Sequence, residues 1–180
     1  MKVAVLFAEG FEEIEAVTPV DVLKRAGLDV VMVGLDNSEV CGSHGIVFKM
    51  DCLLEDIFAD DLDMLVLPGG LPGSYNLRDS DEVIDLVCDL HALKKYIAAI
   101  CAAPLVLEKA GILEDKKVTS YPAMEDEMTS CEEYTASRVE VDGNIITSRG
   151  AGCSFEFSFA LLEVLGMAEK AAELKKAMIV

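Results

Sequence analysis

Three short, nearly continuous apolar runs, residues 3–7, 63–67 and 96–100, constrain this chain more than any other feature. A strand with one wet face alternates apolar and polar residues; a run without alternation belongs to a strand buried on both faces. Between the runs the spacing turns helical. Residues 12–26 place Ile14, Val17, Val22 and Leu23 at helical intervals and stop at Gly27. Pro19 falls inside that stretch and either bends the helix or restarts it one turn on. Residues 30–33 read as a further strand. Residues 80–94 read as a helix capped by Ser80, with acidic residues in its first turn and Lys94 and Lys95 at its end. Residues 104–110 read as a helix ending at Gly111. Residues 138–141 and 144–147, joined by Asp142-Gly143, read as a β-hairpin, and residues 153–165 and 168–178 as terminal helices.

Strands alternating with helices predict an open, mostly parallel α/β sheet covered by helices on both faces. The 180 residues suit a single domain, 1–180, with a full core. Ligands of such sheets bind beyond the carboxyl ends of the strands, which directs attention to residues 7–10, 67–70 and 100–103.

Lys+Arg 15 against Asp+Glu 33 gives a net charge of -18. Phosphate backbones and anionic bilayers repel such a surface, so neither nucleic acid nor membrane is expected as a partner. No run approaches the roughly 20 apolar residues of a spanning helix, and the opening residues lack the pattern of a secretory signal. The expectation is a cytoplasmic protein. The six cysteines, at 41, 52, 88, 101, 131 and 153, never stand two residues apart. Zinc-site spacing is absent, no metal is expected, and a disulfide framework does not fit a chain of this kind.

Residues 96–104 (Tyr-Ile-Ala-Ala-Ile-Cys-Ala-Ala-Pro) carry the chemistry. A buried strand runs into Cys101, small Ala102 and Ala103 allow a tight turn, and Pro104 suits the first turn of a helix. This is the pattern of a nucleophile elbow with cysteine in place of serine. A helix N-terminus stabilises a thiolate, so a lowered Cys101 pKa is expected; the alternative is an inert cysteine closing a strand. Gly69 and Gly70 end the neighbouring strand and can aim backbone N–H groups at a bound oxygen, or form a plain turn. Among Glu9, Glu12, Glu13 and Glu15, the last is flanked by Ile14 and Ala16. A carboxyl group beside a thiolate keeps its proton, which favours Glu15 slightly over Glu12 as the partner of Cys101. His91 reads as an exposed helical residue. His44, in the loop 41–45, is free to line a site or to face solvent.

Four segments in order resemble the ThiJ/PfpI family, and within it the branch of the parkinsonism-associated deglycase. They are residues 8–15 with 19–22, 66–70, 98–104, and 147–150 with 154–157. The resemblance implies a flavodoxin-like, class I glutamine amidotransferase-like domain that forms a homodimer. It implies Cys101 as nucleophile and oxidation-sensitive thiol, Glu15 as the protonated carboxyl group beside it, and the N–H groups of Gly70 and Ala102 as oxyanion donors. It implies cofactor-free glyoxalase or deglycase activity on small reactive carbonyl compounds, or a redox-dependent chaperone or regulatory role without turnover. The peptidase branch carries histidine after the nucleophile, where this chain has Ala102. Tyr121 stands where the deglycase branch usually has a histidine; it can donate a hydrogen bond but is a poor base at neutral pH. His44 falls near the place of an arginine that reaches across the dimer in relatives.

Overall fold

Each apolar run becomes a strand of one seven-stranded sheet. The computed structural model describes residues Met1–Val180. Its strands are β1 (Lys2–Phe7), β2 (Asp29–Gly34), β3 (Glu39–Cys41), β4 (Val47–Lys49), β5 (Cys52–Leu53), β6 (Met64–Leu67), β7 (Tyr96–Ile100), β8 (Lys117–Val118), β9 (Glu133–Tyr134), β10 (Val139–Asp142) and β11 (Ile145–Ser148). Its helices are α1 (Glu13–Arg25), α2 (Gly73–Arg78), α3 (Asp81–Ala92), α4 (Pro104–Lys109), α5 (Ser154–Val164) and α6 (Ala168–Met178).

The sheet order is β10-β11-β7-β6-β1-β2-β5, and every pairing is parallel except the β10–β11 hairpin. The predicted α/β class with its mostly parallel sheet is therefore the observed one. The chain leaves β1 toward β2 on one side and later fills β6 on the other. Between β1 and β6 lies the switch point where crevices open in such folds. In register, Val5 pairs with Val66 and Leu67 with Ala99, so the carboxyl ends of β1, β6 and β7 lie side by side.

The continuous runs divide between two apolar layers. Ala4 and Leu6 pack with α3 and α4 through Val83, Val87, Leu90 and Val106. Val3, Val5 and Phe7 pack on the other face with Ala16, Leu23, Phe157 and Leu161 of α1 and α5. Period-two alternation persists inside a run that looks uniform, because both faces are dry. Each valine, leucine or phenylalanine side chain among them contributes about 1.5–3 kcal/mol on burial. No helix is long and apolar enough to cross a membrane.

Ser80 caps α3 as expected, accepting a hydrogen bond from the Val83 N–H at 3.3 Å. Pro19 neither splits nor restarts α1, which runs unbroken through it. Proline lacks the N–H that would reach the Glu15 carbonyl, but buried Ala16, Val20 and Leu23 hold the helix against the core. The β3–β4 hairpin, β5, the β8–β9 ladder and α2 are additions to the predicted elements. Strands of two or three residues are too short to show a period, and α2 has no capping side chain. His91 is partly buried on α3 rather than exposed, with Nδ1 lacking a partner.

Candidate active site

Cys101 follows β7 directly and takes the left-handed conformation, φ 64°. Such a backbone costs a side-chain-bearing residue about 1–2 kcal/mol. Neighbouring elements hold it there. The Cys101 N–H donates to the Ser148 carbonyl at 2.9 Å, and the Tyr121 N–H donates to the Cys101 carbonyl at 2.8 Å. Ala102 and Ala103 are buried, and Pro104 opens α4 without needing a donor partner. The elbow read from residues 96–104 is thus present, turned by a residue that is not glycine.

Glu15, in the first turn of α1, is 1% exposed and reaches the elbow. Its Oε2 accepts the Gly69 N–H at 3.0 Å, and the Ala151 N–H and the Cys101 side chain also engage the carboxyl group. Burial, helped by the charge of Glu12, raises the carboxyl pKa to about 7 against the pull of those donors. The Cys101 thiol is pushed up to about 12, first by burial, then by the charge and hydrogen bond of Glu15. The N–H groups of Gly70 and Ala102 draw it back toward the thiolate. This reverses the lowered thiol pKa expected from the helix N-terminus alone. In a dry pocket burial, and after it the carboxylate, outweighs the helix end; below about pH 7 the pair holds two protons and above it one.

The glycines are needed for close approach. A Cβ on Gly69 would overlap Glu15 Oε2 and Cys101 Cβ, so the carboxyl group and the elbow meet across a bare backbone. Gly70 has φ +90°, and a Cβ there would strike the backbone of Phe11 and Glu12. The loop is tied to the start of α1 by the Glu12 N–H donating to the Gly69 carbonyl at 2.9 Å. At the mouth, a Cβ placed on Gly150 would lie 3.6 Å from Tyr121 Cδ2, 3.7 Å from Glu15 Oε1 and 4.0 Å from Cys101 Sγ. Gly150 thus sets a bare backbone against the thiol, the carboxyl group and the half-exposed Tyr121 ring.

The structure brings together Cys101, Glu15, Gly69, Gly70, Ala102 and Tyr121. His44 is engaged elsewhere. Its Nδ1 lies 2.8 Å from Glu13 Oε2, and its backbone N–H donates to Glu13 Oε1 at 2.8 Å. Burial alone would raise the Glu13 pKa, but hydrogen bonds from the His44 ring and from backbone N–H groups bring it down to about 2. Glu13, in its turn, raises the pKa of the exposed imidazole. Glu12, Glu13 and His44 bring possible ligand atoms within 4.8 Å of one another. Both Glu13 oxygens already accept hydrogen bonds from the loop, so the group is a staple between that loop and α1. Ser148, Gly150 and Ala151 are site residues that sequence reasoning did not single out. The signal for Ser148 and Gly150 was the segment 147–150, whose role depends on β11 lying beside β7; Ala151 had none.

A cysteine at a strand–helix elbow, facing a buried carboxyl group across a di-glycine loop, defines the class of protein. The chain belongs to the DJ-1/PfpI family, whose profile matches residues 1–164. A Parkinson disease protein 7 homolog of Danio rerio is 42% identical over 179 residues, covering 97% of this chain and 95% of the relative. A deglycase of Pyrococcus abyssi is 32% identical over 153 residues, covering 84% of this chain and 92% of the relative. The crystal structure of Drosophila melanogaster DJ-1beta superposes with a TM-score of 0.95 at 39% identity, over 99% of this chain and 97% of that one.

Proposed function

We propose that this protein is a cysteine-dependent, cofactor-free glyoxalase or deglycase of the stress-protein kind, acting on 2-oxoaldehydes or their early adducts. The observation that carries the reading is the meeting, at Cys101, of the Glu15 carboxyl group and the N–H groups of Gly70 and Ala102. The similarity to a relative named as a deglycase supports it. Six free cysteines accord with a cytoplasmic setting, where thiols stay reduced.

With methylglyoxal, the Cys101 sulfur bonds to the aldehyde carbon C1, and the aldehyde oxygen takes a proton to give a hemithioacetal. The developing oxyanion is met by the Gly70 and Ala102 N–H groups. Ionised Glu15 removes the C1 proton, giving an enediol, and returns it to C2, leaving a lactoyl thioester. Water cleaves the thioester, releasing lactate and the free thiol. The sum is methylglyoxal plus water to lactate, with no redox partner. A raised carboxyl pKa, about 7, suits a group that must both accept and donate a proton near neutrality.

The test is lactate formation from methylglyoxal by wild type, Cys101→Ser and Glu15→Gln. Loss of at least about a hundredfold in both variants is expected, the usual scale for removing a nucleophile or proton-transfer group. Equal rates in all three would overturn the reading. A second reading, a redox sensor or chaperone without turnover, draws on the same donors: they would cradle a Cys101 sulfinate, with protonated Glu15 donating to it. Peroxide oxidation confined to Cys101 in a protein that forms no lactate would favour it.

We also propose that the protein is a homodimer. Exposed Ile14 follows Glu13 on α1, exposed Ile46 and Val47 follow His44 in the chain, and the Glu13–His44 staple joins the two segments; these apolar side chains suit contact with a second copy.

A further inference from the structure

A cleft of about 440 Å³ has a lining that includes Tyr121, Arg138, Arg149 and Gly150; Cys101 is not one of its walls, but a Cβ on Gly150 would stand 4.0 Å from Cys101 Sγ. In a chain with 33 acidic residues, guanidinium groups are expected to find carboxylates. Arg25 pairs with Asp21, Arg78 with Asp79 and Arg138 with Glu156. Arg149 alone among the arginines has no carboxylate partner. Its one side-chain hydrogen bond, from Nη1 to the Ala136 carbonyl at 3.1 Å, steadies the side chain and leaves its charge unneutralised. The next residue is Gly150, whose bare backbone comes within contact range of the thiol, a Cβ there standing 4.0 Å from Cys101 Sγ. The Arg138 charge at the same cleft is already matched by Glu156.

We infer that this cleft is an anion subsite, in which Arg149 receives the carboxylate or phosphate of a substrate whose reactive carbonyl sits at Cys101. A guanidinium fork suits either group. The inference deepens the proposed function by naming the substrate class: 2-oxoaldehydes, or adducts, that carry a negative charge on the side away from the aldehyde. Arg149 is a binding residue in this scheme and takes no part in proton transfer.

Two alkylating reagents of nearly equal size test the subsite without any turnover. Iodoacetate is anionic and iodoacetamide is neutral, and each rate is followed at Cys101 by peptide mass. Relative to wild type, Arg149→Gln should lower the iodoacetate-to-iodoacetamide rate ratio roughly fivefold, the scale of one partly solvated ion pair. Arg149→Lys should retain most of the ratio. If the ratio is unchanged in Arg149→Gln, or both reagents slow equally, Arg149 serves structure only and the inference is overturned.

Turnover then separates the two anions. Methylglyoxal is the neutral reference, 4,5-dioxovalerate carries a carboxylate, and 3-phosphooxy-2-oxopropanal carries a phosphate. Arg149→Gln should raise KM for one charged compound while leaving methylglyoxal unaffected, and the compound that suffers more names the anion. If neither loses more than methylglyoxal, the inference fails. If wild type forms no lactate from methylglyoxal, the glyoxalase reading fails, and the alkylation ratio still decides the subsite.

Discussion

Glu15 holds its proton up to about pH 7 because burial gives its charge little water and Glu12 adds a like charge, against the pull of the Cys101 side chain and the backbone donors. That has a consequence for stability. The folded carboxyl titrates at about 7 and the unfolded one near 4.5. Between those values the folded state binds more protons than the unfolded state, so stability falls as pH rises through that window. The displacement corresponds to about 3 kcal/mol once both forms are ionised. Glu13 acts in a separate window: its folded pKa, about 2, is depressed, so its contribution is present above 4.5 and lost as pH falls toward 2. His44, with a raised pKa, contributes below its unfolded value of 6.5 and loses that contribution as pH rises through its folded pKa. It changes stability in the same direction as Glu15, so the difference between wild type and Glu15→Gln isolates the carboxyl group. Urea unfolding at pH 5 and pH 8 should show a clearly smaller loss of stability in Glu15→Gln than in wild type. Parallel losses in the two proteins would mean that Glu15 titrates normally.

The loop from β6 to α2 shows how an element sets the chemistry without supplying a side chain. Pro68-Gly69-Gly70 reads as an ordinary turn, and its residues are chosen by what lies on either side. Gly69 separates Glu15 from Cys101, and Gly70 passes against the start of α1. A methyl group on Gly69 must displace the carboxyl group or the elbow. Gly69→Ala is therefore expected to lower lactate formation about a hundredfold, since small misplacement of reacting groups has effects of that size. Thermal unfolding should remain cooperative, and an active Gly69→Ala protein would show that the two groups need not meet there. The elbow itself was legible because the turn, the small residues and Pro104 are consecutive in sequence. The pairing of Ser148 with Cys101 was not, because it joins residues 47 apart through a strand order that no local pattern encodes.

At the scale of the molecule, charge and apolar surface oppose each other. Each copy carries a net charge of -18, and a dimer brings two such charges together. In the proposed homodimer, contact through Ile14, Ile46 and Val47 would have to outweigh that repulsion, so added salt should strengthen association by screening it. Sedimentation is expected to show a dimer that tightens between 20 and 200 mM salt, roughly from a Debye length of 20 Å to one of 7 Å. Val47→Asp should shift it to monomer. A monomer at all salt concentrations would remove the dimer from the reading.

The sequence by itself determined the class of fold, because strands buried on both faces must be covered by the helices between them. It also singled out Cys101 as the candidate reactive position, because strand, turn and helix start are adjacent in the chain. Only the tertiary structure decided the state of that thiol. Its pKa depends on a carboxyl group 86 residues away in sequence, on backbone donors from two loops and on the exclusion of water, and these are properties of packing rather than of any segment. Tertiary structure also left Arg149 without a carboxylate partner, in a cleft lined by Tyr121 and Gly150, since which charges are matched is settled only when the chain has folded.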